Sequence, residues 1–125
     1  MTGTAKYLKE KNPEIRIAAV EPASSPLLSQ GISGPHGLMG IGANFIPELL
    51  DISLIDEIVA VTEEDSYRAA RLLAKTEGLL VGITSGAALH AATVLAEKDE
   101  YAKKKIAVIL PDTGDRYLST PEFKD

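Results

Sequence analysis

Thr84-Ser85-Gly86 sets two hydroxyls and a glycine side by side where the apolar run Leu79-Leu80-Val81-Gly82-Ile83 gives way to an Ala-rich stretch. Hydroxyls of this kind act by hydrogen bonding: they cap a helix, touch a ligand, or divide those two jobs. A helix starting here leaves its first N–H groups unpaired at the same place. A second polar turn, Pro111-Asp112-Thr113-Gly114-Asp115-Arg116-Tyr117, follows another apolar run. Its Asp115 and Arg116 can serve as acid and base or as plain surface charges, and Asp-Thr-Gly is also a common turn. His36, in Gly34-Pro35-His36-Gly37, can carry a proton, or be solvated or structural in its loop. Gly40-Ile41-Gly42-Ala43-Asn44-Phe45 has the look of a dinucleotide fingerprint, but it follows no strand, opens no helix and lacks the third Gly, so that reading is rejected.

Periodicity and turn residues set the helices and strands around these groups. Residues 5–11 form a helix that Asn12-Pro13 ends. The short run 15–20, β-branched and Ala with one charge at Arg16, predicts a largely buried strand bounded by Glu21-Pro22. Between 23 and 47 stand five Gly with Pro and Ser among them, and no period survives. Stretches that long are functional loops or disorder, and the apolar side chains of Ile41, Phe45 and Ile46 argue for order. Residues 57–61 are a strand. Thr62 with Asp65 three residues on resembles a capping box that opens a helix reaching Glu77, with Tyr67, Ala70, Leu73 and Ala74 on one face and Gly78 as a left-handed stop. A strand over 79–83, a helix over 86–97, a polar stretch over 98–105 and a strand over 106–110 follow. Apolar strands separated by helices predict the α/β class: a parallel sheet of about four strands with flanking helices in three layers. The turns at Thr84 and Pro111 then share one carboxyl edge, where such folds hold ligands.

The chain's 125 residues make one domain, 1–125, long enough to bury a core. Eighteen acidic against 13 basic residues give a net charge of −5, which removes the footprint expected of nucleic-acid binding. With no Cys and two isolated His there is no disulfide, no thiolate nucleophile and no expected metal site. No apolar run reaches the length of about 18 residues that a membrane span needs, and no leader pattern is present, so the expectation is a cytoplasmic protein.

Several strings together carry a resemblance: Lys6-Tyr7-Leu8-Lys9-Glu10-Lys11-Asn12-Pro13, Val20-Glu21-Pro22, Gly34-Pro35-His36, Gly40-Ile41-Gly42-Ala43-Asn44-Phe45-Ile46-Pro47, Gly82-Ile83-Thr84-Ser85-Gly86-Ala87-Ala88 and Leu110-Pro111-Asp112-Thr113-Gly114-Asp115-Arg116-Tyr117-Leu118-Ser119-Thr120. In this order they resemble the C-terminal part of the cysteine synthase (O-acetylserine sulfhydrylase) family, pyridoxal-phosphate enzymes of fold type II. The resemblance implies pyridoxal 5'-phosphate as cofactor, with Thr84 at the pyridine nitrogen, Pro111 and Asp112 beside the ring, and Gly40, Ile41, Gly42 and Ala43 as the loop that approaches cofactor and substrate. A neutral hydroxyl at a helix N-terminus does not favour a protonated ring as a carboxylate does, which suits loss of a β-leaving group. Two departures stand out. Gly37-Leu38-Met39 replaces the family's Lys-Ile-Gln after the His, and Asn44 replaces a frequent Gly.

The resemblance also implies a Schiff-base Lys, a Ser/Thr/Asn loop for the substrate carboxylate and a Gly-Thr-Gly-Gly-Thr phosphate loop, all N-terminal to Met1. The expectation is therefore a piece of the large C-terminal domain of a longer enzyme, with Met1 as an artificial start. The parent is expected to convert O-acetylserine and sulfide to cysteine and acetate. Cystathionine β-synthase and O-phosphoserine sulfhydrylase are the neighbouring readings. The resemblance further implies a homodimer and possible association with serine acetyltransferase, and this piece alone is expected to be inactive. A reading from a different class is a stand-alone module that binds a protein partner.

Overall fold

Ala18–Pro22 (β1) and Glu57–Val61 (β2) pair in parallel, Ala18 opposite Glu57 and Pro22 opposite Val61, in a computed structural model that describes residues 1–120. Residues 15–17 lead in rather than pair. The Ile17 carbonyl accepts the N–H groups of both Asp56 (2.9 Å) and Glu57 (3.3 Å), and the Ile17 N–H donates to the Asp56 carboxylate at 2.7 Å. The Lys9 ammonium, 2.7 Å from the same carboxylate, ties Thr2–Lys11 (α1) to the start of β2. A hydrogen bond from Lys9 and the Ile17 N–H hold the Asp56 carboxyl below its usual range.

Between the strands the chain makes the short helix Leu27–Gln30 (α2), a long loop and a 3₁₀ turn at Ile52–Leu54. Glu63–Glu77 (α3) follows β2 within two residues. Its N-cap Thr62 accepts the Asp65 N–H at 3.1 Å and donates its hydroxyl to the Asp65 carboxylate at 2.6 Å, while Gly78 closes it at φ 70. Both ends agree with the sequence reading, because both are decided by local chemistry.

Ile83–Ala96 (α4) starts three residues earlier than its sequence pattern suggests. Gly82, in extended conformation, is the N-cap and no side chain caps the helix, so Thr84 and Ser85 lie inside the first turn. Because α4 is apolar nearly all round, it packs on both strands and along α3. The core gathers Leu38, Val59, Val61, Tyr67, Ile83, Ala87, Ala91 and Leu95.

The α/β class, the parallel pairing and the flanking helices are as expected, but among the described residues the sheet has two strands rather than four. Val81 makes a single antiparallel bridge to Thr113, supported by Leu80 accepting the Gly114 N–H at 3.2 Å and Asp112 accepting the Gly82 N–H at 3.3 Å. Residues 106–110 form no strand, and Ile109 is 79% exposed. An apolar run becomes a strand only when a neighbour offers N–H and C=O groups in register. Among the described residues none does so for 106–110.

Candidate functional site

The carboxyl ends of the strands gather the predicted residues from three directions. At the N-terminus of α4, Thr84 is half-buried and its hydroxyl makes no hydrogen bond among the described residues. Ser85, fully buried, donates its hydroxyl to the Asp112 carboxylate. The Tyr117 hydroxyl lies 3.3 Å from the other Asp112 oxygen. Burial, and then the Asp112 charge, push the Tyr117 phenol up from its usual range. Asp112 thus fastens the second polar turn to the first turn of α4. Gly82 faces the same carboxylate, and a Cβ there has no room. Pro111 itself is exposed, and Asp115 and Arg116 are exposed turn residues, with Asp115 accepting the Thr113 hydroxyl at 2.7 Å.

The loop 40–43 arrives opposite Thr84. A Cβ at Gly40 would stand 3.8 Å from both Oγ1 and Cγ2 of Thr84, so backbone meets side chain there without a side chain between. Gly40 has φ 109 and Gly42 φ 64, conformations that glycine adopts freely. At Gly42 a Cβ would also strike His36 Nε2 at 2.6 Å and Pro22 Cγ at 2.7 Å. His36 takes the structural alternative: its Nε2 donates to the Gly42 carbonyl at 2.7 Å, and its Nδ1 is buried with no hydrogen-bond partner among the described residues. A cleft of about 490 Å³ is lined by Gly40, Ile41, Gly42 and Phe45 of the loop and by Val20 and Glu21 of β1. Thr84 does not line it.

Three groups at this edge escape the sequence reading. Tyr117 is one, although a phenol five residues after an Asp in a turn is a usable signal. Glu21, 3% exposed, accepts the N–H groups of Leu28 (2.7 Å) and Ser29 (3.2 Å) and so fixes the start of α2. Ser25 and Asn44 join across the loop at 2.6 Å, a pairing that no sequence spacing announces.

The model of the family described as "Pyridoxal-phosphate dependent enzyme" matches residues 1–112. The chain belongs to this family. Cysteine synthase B of Campylobacter jejuni is 49% identical over 123 residues, covering 98% of this chain and 40% of that protein. Cysteine synthase A of Escherichia coli K12 is 43% identical, covering all of this chain and 41% of its own length. Among solved structures, a cysteine synthase from Entamoeba histolytica superposes with a TM-score of 0.94 at 44% identity, over 98% of this chain and 37% of that one. An O-acetylserine-dependent cystathionine β-synthase from Helicobacter pylori gives 0.83, also at 44% identity, over 98% and 40%. The chain therefore spans about two fifths of the length of the relatives it matches.

Measured against the family's cofactor, the described residues fit the ring end of pyridoxal phosphate. They offer a helix N-terminus, an uncommitted hydroxyl at Thr84 and bare backbone at Gly40. They do not present the other attachments. Lys9 and Lys98 are ion-paired, Lys11 lies over the Tyr7 ring, and Lys6, Lys75, Lys103, Lys104 and Lys105 are exposed, so no described lysine is a buried amine without a partner. No cluster of metal-ligating side chains and no helix long and apolar enough to cross a membrane occurs among the described residues.

Proposed function

We propose that this chain supplies the ring-side wall and the substrate loop of a cysteine synthase, in which sulfide replaces acetate at the β-carbon of O-acetylserine. The observation that carries the reading is the approach of Gly40 to the free Thr84 hydroxyl at the start of α4. When bound, pyridoxal phosphate supplies the electron sink that lets acetate depart. Thr84 accepts the role of ring-nitrogen partner: a neutral hydroxyl at the positive end of a helix dipole leaves the ring uncharged. Ser85, Asp112 and Tyr117 hold that first turn in place. The loop 40–43 brings backbone amides up to the substrate, Asp112 and Pro111 border the ring, and the remaining three fifths of an enzyme of this size provide lysine and phosphate cradle.

The test is a chimera in which this chain replaces the matching segment of the Escherichia coli cysteine synthase A. Cysteine formation from O-acetylserine and sulfide is expected. Thr84→Val in the chimera is expected to lower turnover about fivefold, the worth of one hydrogen bond of about 1 kcal/mol, and to shift the cofactor's absorbance. Turnover and spectrum both unchanged in that variant would remove Thr84 from the site.

A second reading, formation of cystathionine with homocysteine as the nucleophile, draws on the Helicobacter pylori neighbour. A chimera that prefers homocysteine to sulfide, where the unmodified host does not, would establish it. Dimerisation and association with serine acetyltransferase belong to the first reading, and sedimentation of the chimera with and without that partner checks them.

A further inference from the structure

Within five residues the substrate loop carries three positive φ angles: 109 at Gly40, 64 at Gly42 and 60 at Asn44. Two of these residues are gripped from the same neighbouring segment. His36 Nε2–H donates to the Gly42 carbonyl at 2.7 Å. Because a carbonyl only accepts, Nε2 carries the proton of this bond, and the buried Nδ1 has no hydrogen-bond partner among the described residues. Ser25, 1% exposed, accepts the Gly34 N–H at 3.2 Å and donates its own hydroxyl to Asn44 Oδ1 at 2.6 Å. The direction of this relay is set by its ends, since the Gly34 amide can only donate and the Asn44 carbonyl oxygen can only accept.

A left-handed backbone is where Gly is most comfortable and where Asn is the best-tolerated residue with a side chain. Asn44 therefore keeps the turn that a glycine would make and adds a tether that a glycine cannot. Grips at residues 42 and 44 leave Gly40, at the loop's other end, facing Thr84. We infer that Ser25 and Asn44, together with His36, form a latch that holds the loop 40–44 in its substrate-facing conformation, so that Asn44 is a positioning residue for substrate binding. The substrate part of this inference rests on the function proposed above; the latch itself rests on the loop's own bonds.

The test uses the chimera with Asn44→Gly, Ser25→Ala and Asn44→Asp. Glycine takes φ 60 without strain, so the first substitution deletes the tether and little else. Aspartate tolerates the same backbone and still accepts from Ser25. Amide exchange over 40–46 is expected to quicken at least fivefold in Asn44→Gly and Ser25→Ala, with α3 and α4 unaffected, and to return in Asn44→Asp. The KM for O-acetylserine is expected to rise three- to tenfold in the first two variants with kcat within twofold, and again to recover in Asn44→Asp. Unchanged exchange in Asn44→Gly, or an Asn44→Asp protein as impaired as Asn44→Gly, would overturn the latch. Exchange that responds in a chimera without turnover would keep the latch and overturn the function proposed for the loop.

Discussion

Ser85 and Asp112 stand 27 residues apart and meet as a buried hydroxyl and a carboxylate, so much of the site's geometry hangs on one bond. Ser85 is fully buried and can exchange that partner for no water, whereas Asp112 keeps a weaker contact with Tyr117 at 3.3 Å. A hydrogen bond to a charged group is worth about 1.5–3 kcal/mol. Ser85→Ala removes it without opening a cavity larger than an oxygen, and is expected to lower stability by about 2 kcal/mol in urea unfolding. The same variant should loosen the turn 112–114, seen as faster exchange of the Gly82 and Gly114 amides, which bond across to Asp112 and Leu80. An unchanged unfolding midpoint would mean that the turn is held by its backbone alone. Thr84 differs from its neighbour in this respect. Its hydroxyl is uncommitted, so its loss should be felt in function rather than in folding.

Gly86, the third residue of the Thr84-Ser85-Gly86 turn, has an element-scale task. A Cβ there would run into the Ser66 carbonyl of α3 and stand 3.0 Å from the Ala70 Cβ, and beside it the Ser66 hydroxyl donates to the Ile83 carbonyl. Alanine inside a helix gains about 0.5–1 kcal/mol over glycine, but overpacking against backbone costs about 1–3, so the clash wins. Gly86→Ala is expected to lower the melting temperature, and a rise would show that the helices can part without loss. At the opposite end of β2, Glu57 is clasped by Lys98 and by the Tyr101 hydroxyl at 2.6 Å, with Arg16 over the Tyr101 ring at 5.2 Å. The Lys98 bond first, then Tyr101, hold the Glu57 carboxyl below its usual range, while Glu57, then burial, push the Tyr101 phenol up to about 12. A phenol raised by folding stabilises the protein below its ordinary pKa of about 10, and that contribution drains away as the pH climbs towards 12. A carboxyl lowered by folding contributes above its ordinary value and is lost as the pH falls through the lowered one. Tyr101→Phe is expected to flatten the alkaline decline of the melting temperature and to lower the plateau at neutral pH; an alkaline limb identical to that of the parent would place the titration elsewhere. What the sequence discloses follows the same division. The Thr62 cap, the Gly78 stop and the strand at 57–61 are legible because each is decided within a few residues. The runs 79–83 and 106–110 read as strands because an apolar pattern reports a demand for burial and says nothing about whether a partner is present. The Ser25–Asn44 and Ser85–Asp112 bonds escape because they join side chains across loops.

At the scale of the whole molecule, the apolar runs 79–83 and 106–110 stay largely unpaired among the described residues. Leu79 is 53% exposed, Leu80 41% and Ile109 79%, on segments whose sequence asks for burial, in a chain that spans about two fifths of its relatives' length. The same accounting applies to pyridoxal phosphate. On the proposed reading, the described residues offer it the Thr84 hydroxyl, the N-terminus of α4 and the bare backbone of Gly40. A net hydrogen bond contributes about 1 kcal/mol and a helix N-terminus about 0.3–1 at an exposed position, against about 8 kcal/mol for micromolar affinity. Covalent capture does not close that gap, since the described lysines are exposed or ion-paired and none sits in the apolar pocket that activates an amine as a nucleophile. The 125-residue chain by itself is therefore expected to lose pyridoxal phosphate on dialysis, to yield no borohydride-fixed adduct at stoichiometric level, and to form no cysteine. The chimera, with lysine and phosphate cradle restored, is expected to retain one cofactor per chain. Stoichiometric retention by the 125 residues alone, with an absorbance that responds to O-acetylserine, would show that a lysine of this chain reaches the Thr84 edge and that the site is complete without the rest.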